Sequence, residues 1–193
     1  MTETSFGADT DGFVHIADDL IHEGHVISLY RSTFRAPDGE RFDRDVVRHP
    51  GAVSVVPLHD DGTVVLVRQY RAPLDATLLE IPAGTRDVPD EPLEVTARRE
   101  LVEEVGLSAA RLVRLATFHN SVGFCDEESH VFLATGLSPT SRDRQGIEET
   151  HMEEVRVRLA DVPDLIAAGE ITDAKTVIGL LQALRQVEGS AGG

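Results

Sequence analysis

The chain has 193 residues, 41% of them hydrophobic and 27% charged, enough for one sizeable core or one domain with a small appendage. Its 34 acidic against 18 basic residues give a formal net charge of -16, which argues against a nucleic acid or an anionic membrane as the main partner. An anionic small molecule remains compatible with that charge where metal ions or a few placed arginines reverse the sign locally.

Residues 1–12 are polar, with no basic start and no apolar run, so they are expected to be a disordered tail and not a signal peptide. From 13 to 48 β-branched residues alternate with polar ones around the turn "APDGE", as in short strands. "GAVSVVPL" (51–58) and "TVVLVRQYR" (63–71) are expected to be buried strands joined by the turn "HDDG". "TLLEIPAG" (77–84) is a further short strand ending at Pro82 and Gly84. Residues 92–105 are predicted helical, with Pro92 in the first turn and Gly106 where a helix end favours a left-handed residue. "RLVRLATFHN", "SHVFLATGL" and "VRVRLADV" read as strands, "DVPDLIAAGEI" and "DAKTVIGLLQALRQV" as closing helices, and 186–193 as a disordered tail. The order of elements is mixed α/β (α+β), not the regular alternation of a doubly wound sheet. The single Cys125 rules out an intrachain disulfide and suits a cytoplasmic location, and no apolar run approaches a membrane span.

Within the central helix, Glu100, Glu103 and Glu104 span roughly a third of the circumference at about 100° per residue. Val95, Leu101, Val102 and Val105 fall mostly on the other side and are expected to face the core. Like charges so close repel, so the segment is either a solvated acidic face or a place for a cation. Three carboxylates within one turn suit hard divalent cations such as Mg²⁺.

The flanking residues favour the cation. From Gly84 the stretch is "GTRDVPDEPLEVTARRELVEEVGL", which resembles the Nudix box G-x5-E-x7-R-E-U-x-E-E-x-G-U, where U is a bulky aliphatic residue. Glu91, Arg99, Glu100, Leu101, Glu103, Glu104, Gly106 and Leu107 fall on the pattern. The departure is six residues, not five, between Gly84 and Glu91. With "VRQYR", "LLEIPAG", "GFCDEESHVFLATGL" and "GEITDAKTVIGLLQAL", the chain is similar to the ADP-ribose pyrophosphatase branch of that family over about residues 13–185.

The resemblance implies a Nudix α/β/α sandwich with a mixed sheet over 49–185, and an N-terminal β-rich extension over 13–48 that builds a homodimer. It implies metal-dependent hydrolysis of ADP-ribose or a related nucleoside diphosphate sugar, with Mg²⁺ as cofactor and Mn²⁺ as a substitute. Glu100 and Glu104 would be metal ligands, Glu103 a ligand or its neighbour, and the Ala83 carbonyl another. Arg99 and Glu91 would form a structural pair, with Gly84 and Gly106 serving backbone geometry. Arg71 would contact phosphate or sugar, and Arg68 is a weaker candidate. Glu80 would meet the ligand or form a salt bridge. In the late loop "GIEETHMEEVRV", Glu153 matches a ligand or base position. His151 stands where a second acid is expected, which leaves Glu149, Glu148 and His151 as further candidates for the base. Val122 stands where ADP-ribose enzymes commonly have proline, so the reaction class is better marked than the substrate.

Other readings are a nucleotide-binding sensor without turnover and a Nudix hydrolase of a dinucleotide coenzyme. A nucleophile drawn from His119, Ser121, Cys125 and Asp126 lacks any surrounding elbow or Cys-His signature.

Overall fold

A computed structural model describes residues 10–141 and 151–191, with side chains as far as Gly189. The described chain forms two compact units: residues up to His49 together with 121–127, and 50–120 together with 128 onward.

In the first unit, alternating β-branched and polar residues build β1 (Val14–Glu23), β2 (Ser28–Arg35) and β3 (Arg41–Arg48), an antiparallel sheet in that order. The β2–β3 turn closes with the Gly39 N–H on the Ala36 carbonyl at 2.9 Å. Phe34 stacks on Phe42 with centroids 5.6 Å apart. Residues 121–127 join β3 through a Val47–Cys125 bridge, and Arg48 reaches both Asp18 and Asp126. Every residue of β1 is exposed, Ile16, Leu20 and Ile21 among them.

The second unit holds two sheets. One is antiparallel in the order β10-β5-β6: β5 is Thr63–Arg71, β6 is Ala76–Glu80 and β10 is Glu153–Arg158. The other is mixed, in the order β7-β4-β9-β8: β4 is Ala52–Pro57, β7 is Ala83–Thr85, β8 is Leu107–His119 and β9 is Glu128–Pro139. Within it β4 and β9 run parallel and the other pairs antiparallel. Both faces of the central strands are buried, which is why β4 and β5 read as unbroken apolar runs. Val53, Val55, Val65 and Val67 pack with Ala97, Leu101 and Val105 of helix α1 (Leu93–Val105). On the opposite side Val56, Val64 and Leu66 pack with Leu180 and Ala183 of helix α3 (Ala174–Ala191). The result is the expected α/β/α sandwich.

Three local expectations change. The stretch read as one strand over 77–84 breaks at Ile81–Pro82, because proline has no N–H for the ladder. β6 pairs with β5, while β7 crosses to β4 in the other sheet. Val95 is 48% exposed, whereas Thr96 and Ala97 are fully buried. The covered face of α1 thus has two stripes, Ala97–Leu101–Val105 on the core and Thr96–Glu100–Glu104 beside it. The first closing helix is only α2 (Val162–Ala167), while α3 continues to Ala191, into the stretch read as a tail. Gly106 ends α1 in the left-handed region at φ 62°, its N–H on the Leu101 and Val102 carbonyls.

Candidate active site

The acidic stripe of α1 is not solvated. Glu100 is 7% exposed and Glu104 4%, and unpaired carboxylates at that depth would be costly. Each has a partner. The Arg99 guanidinium bridges two of the acids, with Nη1 2.7 Å from Glu100 Oε1 and 3.1 Å from Glu103 Oε2. Its Nη2 reaches Asp87 at 3.2 Å and Glu91 at 3.4 Å. Burial works against the Arg99 charge, but Glu100 and the other carboxylates outweigh it and hold the group above its ordinary pKa. Glu91 also accepts from Thr96 Oγ1 at 2.8 Å, and that bond leads in holding its carboxyl below the usual range. The helix is thereby tied to the loop that precedes it.

Over the acids lies the β7 strand. The Ala83 N–H donates to Glu104 Oε2 at 3.1 Å. A Cβ on Gly84 would overlap the Glu100 carboxylate. Gly84→Ala is therefore expected to push Glu100 off its position, and a role for that carboxylate in the reaction would make the change cut turnover about tenfold or more. Steady-state kcat beside a thermal melt checks this: wild-type kcat would show that Glu100 has room to move without consequence.

A second cluster holds Arg71 and Glu80. Glu80 is completely buried, and Arg71 meets it with two parallel bonds, Nε to Oε1 and Nη2 to Oε2, each 2.7 Å. Lys175 Nζ, at the start of α3, lies 2.5 Å from Oε2 of the same carboxylate. Burial pushes the Glu80 carboxyl up, and Arg71 and Lys175 more than offset it, so the group stays below the usual range. The Arg71 charge is favoured first by its bonds to Glu80, and Asp173 and Glu104 add to the effect, which places this cluster within the field of the acidic helix. Asp173 in turn binds Lys175 at 2.8 Å and caps α3 through the Thr176 N–H at 2.9 Å. Thr176 Oγ1 accepts from the Ile81 N–H at 3.0 Å. Lys175, Asp173 and Thr176 complete the cluster from outside the motif. The Asp-x-x-Thr spacing does signal a helix cap, but nothing local marks a lysine that pairs with a glutamate 95 residues away.

Arg68 and Glu153 stand opposite each other on β5 and β10, and both are exposed. By alternation Arg68 shares its strand face with Leu66, toward the α3 side, whereas Arg71 shares the face of Val67, toward α1. The structure therefore separates Arg68 and Glu153 from the Arg71–Glu80 pair at strand level. Glu154, opposite Val67, has the α1-side register. Glu148 and Glu149 lie outside the described residues, and His151 is exposed. Val122 is 79% exposed. Asp126, of the alternative nucleophile group, is engaged by Arg48 and the His49 N–H.

The α1 acids suit a divalent cation in chemistry, being hard oxygen donors in one turn. Glu100 and Glu103 already share one cationic group, the Arg99 guanidinium, so their geometry can face a common positive charge. Among the described residues no three His, Cys, Asp or Glu side chains are gathered as around an ion.

Fold and site define a class: an α/β/α sandwich in which α1 sets buried carboxylates under a glycine-bearing strand, with a paired arginine beside them. The chain belongs to the Nudix hydrolase family, since the NUDIX domain model matches residues 48–178. It is 42% identical over 165 residues to the ADP-ribose pyrophosphatase of Bacillus subtilis (strain 168), covering 86% of this chain and 89% of the relative. The ADP-ribose pyrophosphatase of Mycobacterium tuberculosis (strain ATCC 25618 / H37Rv) is 38% identical over 169 residues, covering 88% of this chain and 82% of that one. A solved ADP compounds hydrolase superposes with a TM-score of 0.81 over 92% of this chain and 95% of its own, at 22% identity, which speaks to the fold alone.

Proposed function

We propose that this Nudix hydrolase is a divalent-metal-dependent pyrophosphatase, with Mg²⁺ or Mn²⁺, acting on ADP-ribose or a related nucleoside diphosphate sugar. The products are a nucleoside monophosphate and a sugar phosphate. The observation that carries the reading is the buried acid set of α1, gathered by Arg99 beneath Gly84. Similarity to two ADP-ribose pyrophosphatases over most of both chains supports the substrate class.

In this reading Glu100, Glu103, Glu104 and the Ala83 carbonyl would hold the metal, while Glu153, in register with Arg68 on the opposite strand face, is left out of the set. The bound metal supplies Lewis acidity and a water of lowered pKa. Arg99 and Glu91 set the helix against its loop, so the carboxylates keep their places without reorganising during the reaction. Arg71 offers a cationic edge to the pyrophosphate, and Glu149, Glu148 or His151 would accept the proton from water. The exposed apolar residues of β1 support a homodimer built on the first unit. The single cysteine fits a cytoplasmic setting. Among the described residues no helix is long and apolar enough to cross a membrane.

The test is a hydrolysis panel of ADP-ribose, ADP-glucose, GDP-mannose, NADH and diadenosine polyphosphates, each with divalent metal and with chelator. Chelator-sensitive release of AMP and ribose 5-phosphate, well above release from the others, is the expected outcome. Preferred turnover of NADH or a diadenosine polyphosphate would overturn the substrate assignment. Binding of ADP-ribose without any turnover would overturn the enzyme in favour of a sensor.

A further inference from the structure

We propose that Lys175 is a positioning residue for the anionic substrate: by pairing with the buried Glu80 it leaves the outer edge of the Arg71 guanidinium able to grip a phosphate. The inference deepens the reading of the site given above and rests on it.

Arg71 meets Glu80 through Nε and Nη2, one edge of its fork, and Nη1 takes part in neither bond. The arginine side chain is 38% exposed, while Glu80 is wholly buried and Lys175 only 14% exposed. The cations therefore differ in their access to a ligand: one faces outward and the other is committed inside. Asp173 also acts on both, bonding Lys175 directly and favouring the Arg71 charge from a distance. Arg71, Lys175, Glu80 and Asp173 together sum to zero charge. Without Lys175 the set becomes net negative beside an already acidic helix, and Arg71 is the one cation left for two carboxylates. Its charge is then consumed internally, and an approaching pyrophosphate meets repulsion. Lys175 also keeps Glu80 partnered if Arg71 turns toward phosphate, which avoids a lone buried carboxylate.

The consequence is a defect in binding and not in the chemical step. An interaction made equally with substrate and transition state shows in KM, with kcat unchanged. Lys175→Met is expected to raise KM about tenfold or more for the substrate the panel selects, with kcat held within about threefold. Lys175→Arg should recover most of the loss. The double variant Lys175→Met with Asp173→Asn removes one charge of each sign and keeps a good helix cap, so its KM should fall back toward wild type. These are measured as steady-state kinetics at saturating divalent metal, with melting curves to set the assay temperature below every transition. A lower kcat at unchanged KM in Lys175→Met would overturn the proposal, as would a double variant no better than the single one. Should Lys175→Met fold poorly, Lys175→Arg and the double variant decide it on the same KM criterion. The wild-type panel tests the site reading separately: if wild type binds ADP-ribose without turnover, the ratios among variants are read as Kd.

Discussion

Glu104→Gln should remove most turnover and leave the fold in place. The side chain is 4% exposed, and its Oε2 accepts from the Ala83 N–H at 3.1 Å. Glutamine has the same shape and keeps a carbonyl oxygen for that bond, so the packing of α1 against β7 survives. In the proposed mechanism, what is lost is a negative charge aimed at the divalent cation. Removing one such preorganised electrostatic contact costs about 10²- to 10³-fold in kcat. The variant would be assayed at saturating divalent metal, with a thermal melt in parallel. A near-wild-type rate would sink the assignment of Glu104 as a ligand, and a collapsed melt would show that it serves the fold first.

Glu80→Gln should instead act on stability. The carboxylate is completely buried and holds two cations, so neutralising it leaves Arg71 without its ion pair and Lys175 with Asp173 alone. Breaking one side of a buried pair costs about 3–5 kcal/mol; Arg71 is 38% exposed and partly screened by water, so the lower end applies. For a chain of this size that corresponds to a melting temperature lower by roughly 10 °C. The sign with pH follows from the carboxyl being held below its ordinary range. Its stabilisation is fully present above the unfolded-state value and is lost as pH falls through the folded one. Wild type should therefore lose this part of its stability on acidification, and Glu80→Gln should show a flatter acid limb. Equal melting temperatures at neutral pH would mean that the two cations are satisfied without Glu80.

The acidic helix was legible because its information is local. Glycines, arginine and glutamates at set intervals declare an α-helix with a carboxylate stripe before any contact is known. The valine runs of β4 and β5 announced burial on both faces for the same reason, and Gly106 marked the helix end. Val95 was misplaced because helical periodicity gives an angle around the axis and not the width of the covered face. That width depends on β7 lying over Glu100 and Glu104 and on the preceding loop meeting Thr96 through Glu91. The break at Pro82 was half legible: proline ends pairing, but only the sheet shows that the chain then crosses to β4.

Sequence alone determined the family pattern, the helix that carries the acids, and the apolar strands of the core, since each depends on residues within a few turns or one strand. Tertiary structure decided what those residues face. It buried Glu80 and gave it Arg71 from a neighbouring strand and Lys175 from a distant helix. It separated the strand face of Arg68 and Glu153 from that of Arg71. A buried charge must find its counter-ions in space, and spacing along the chain carries no record of which ones it finds.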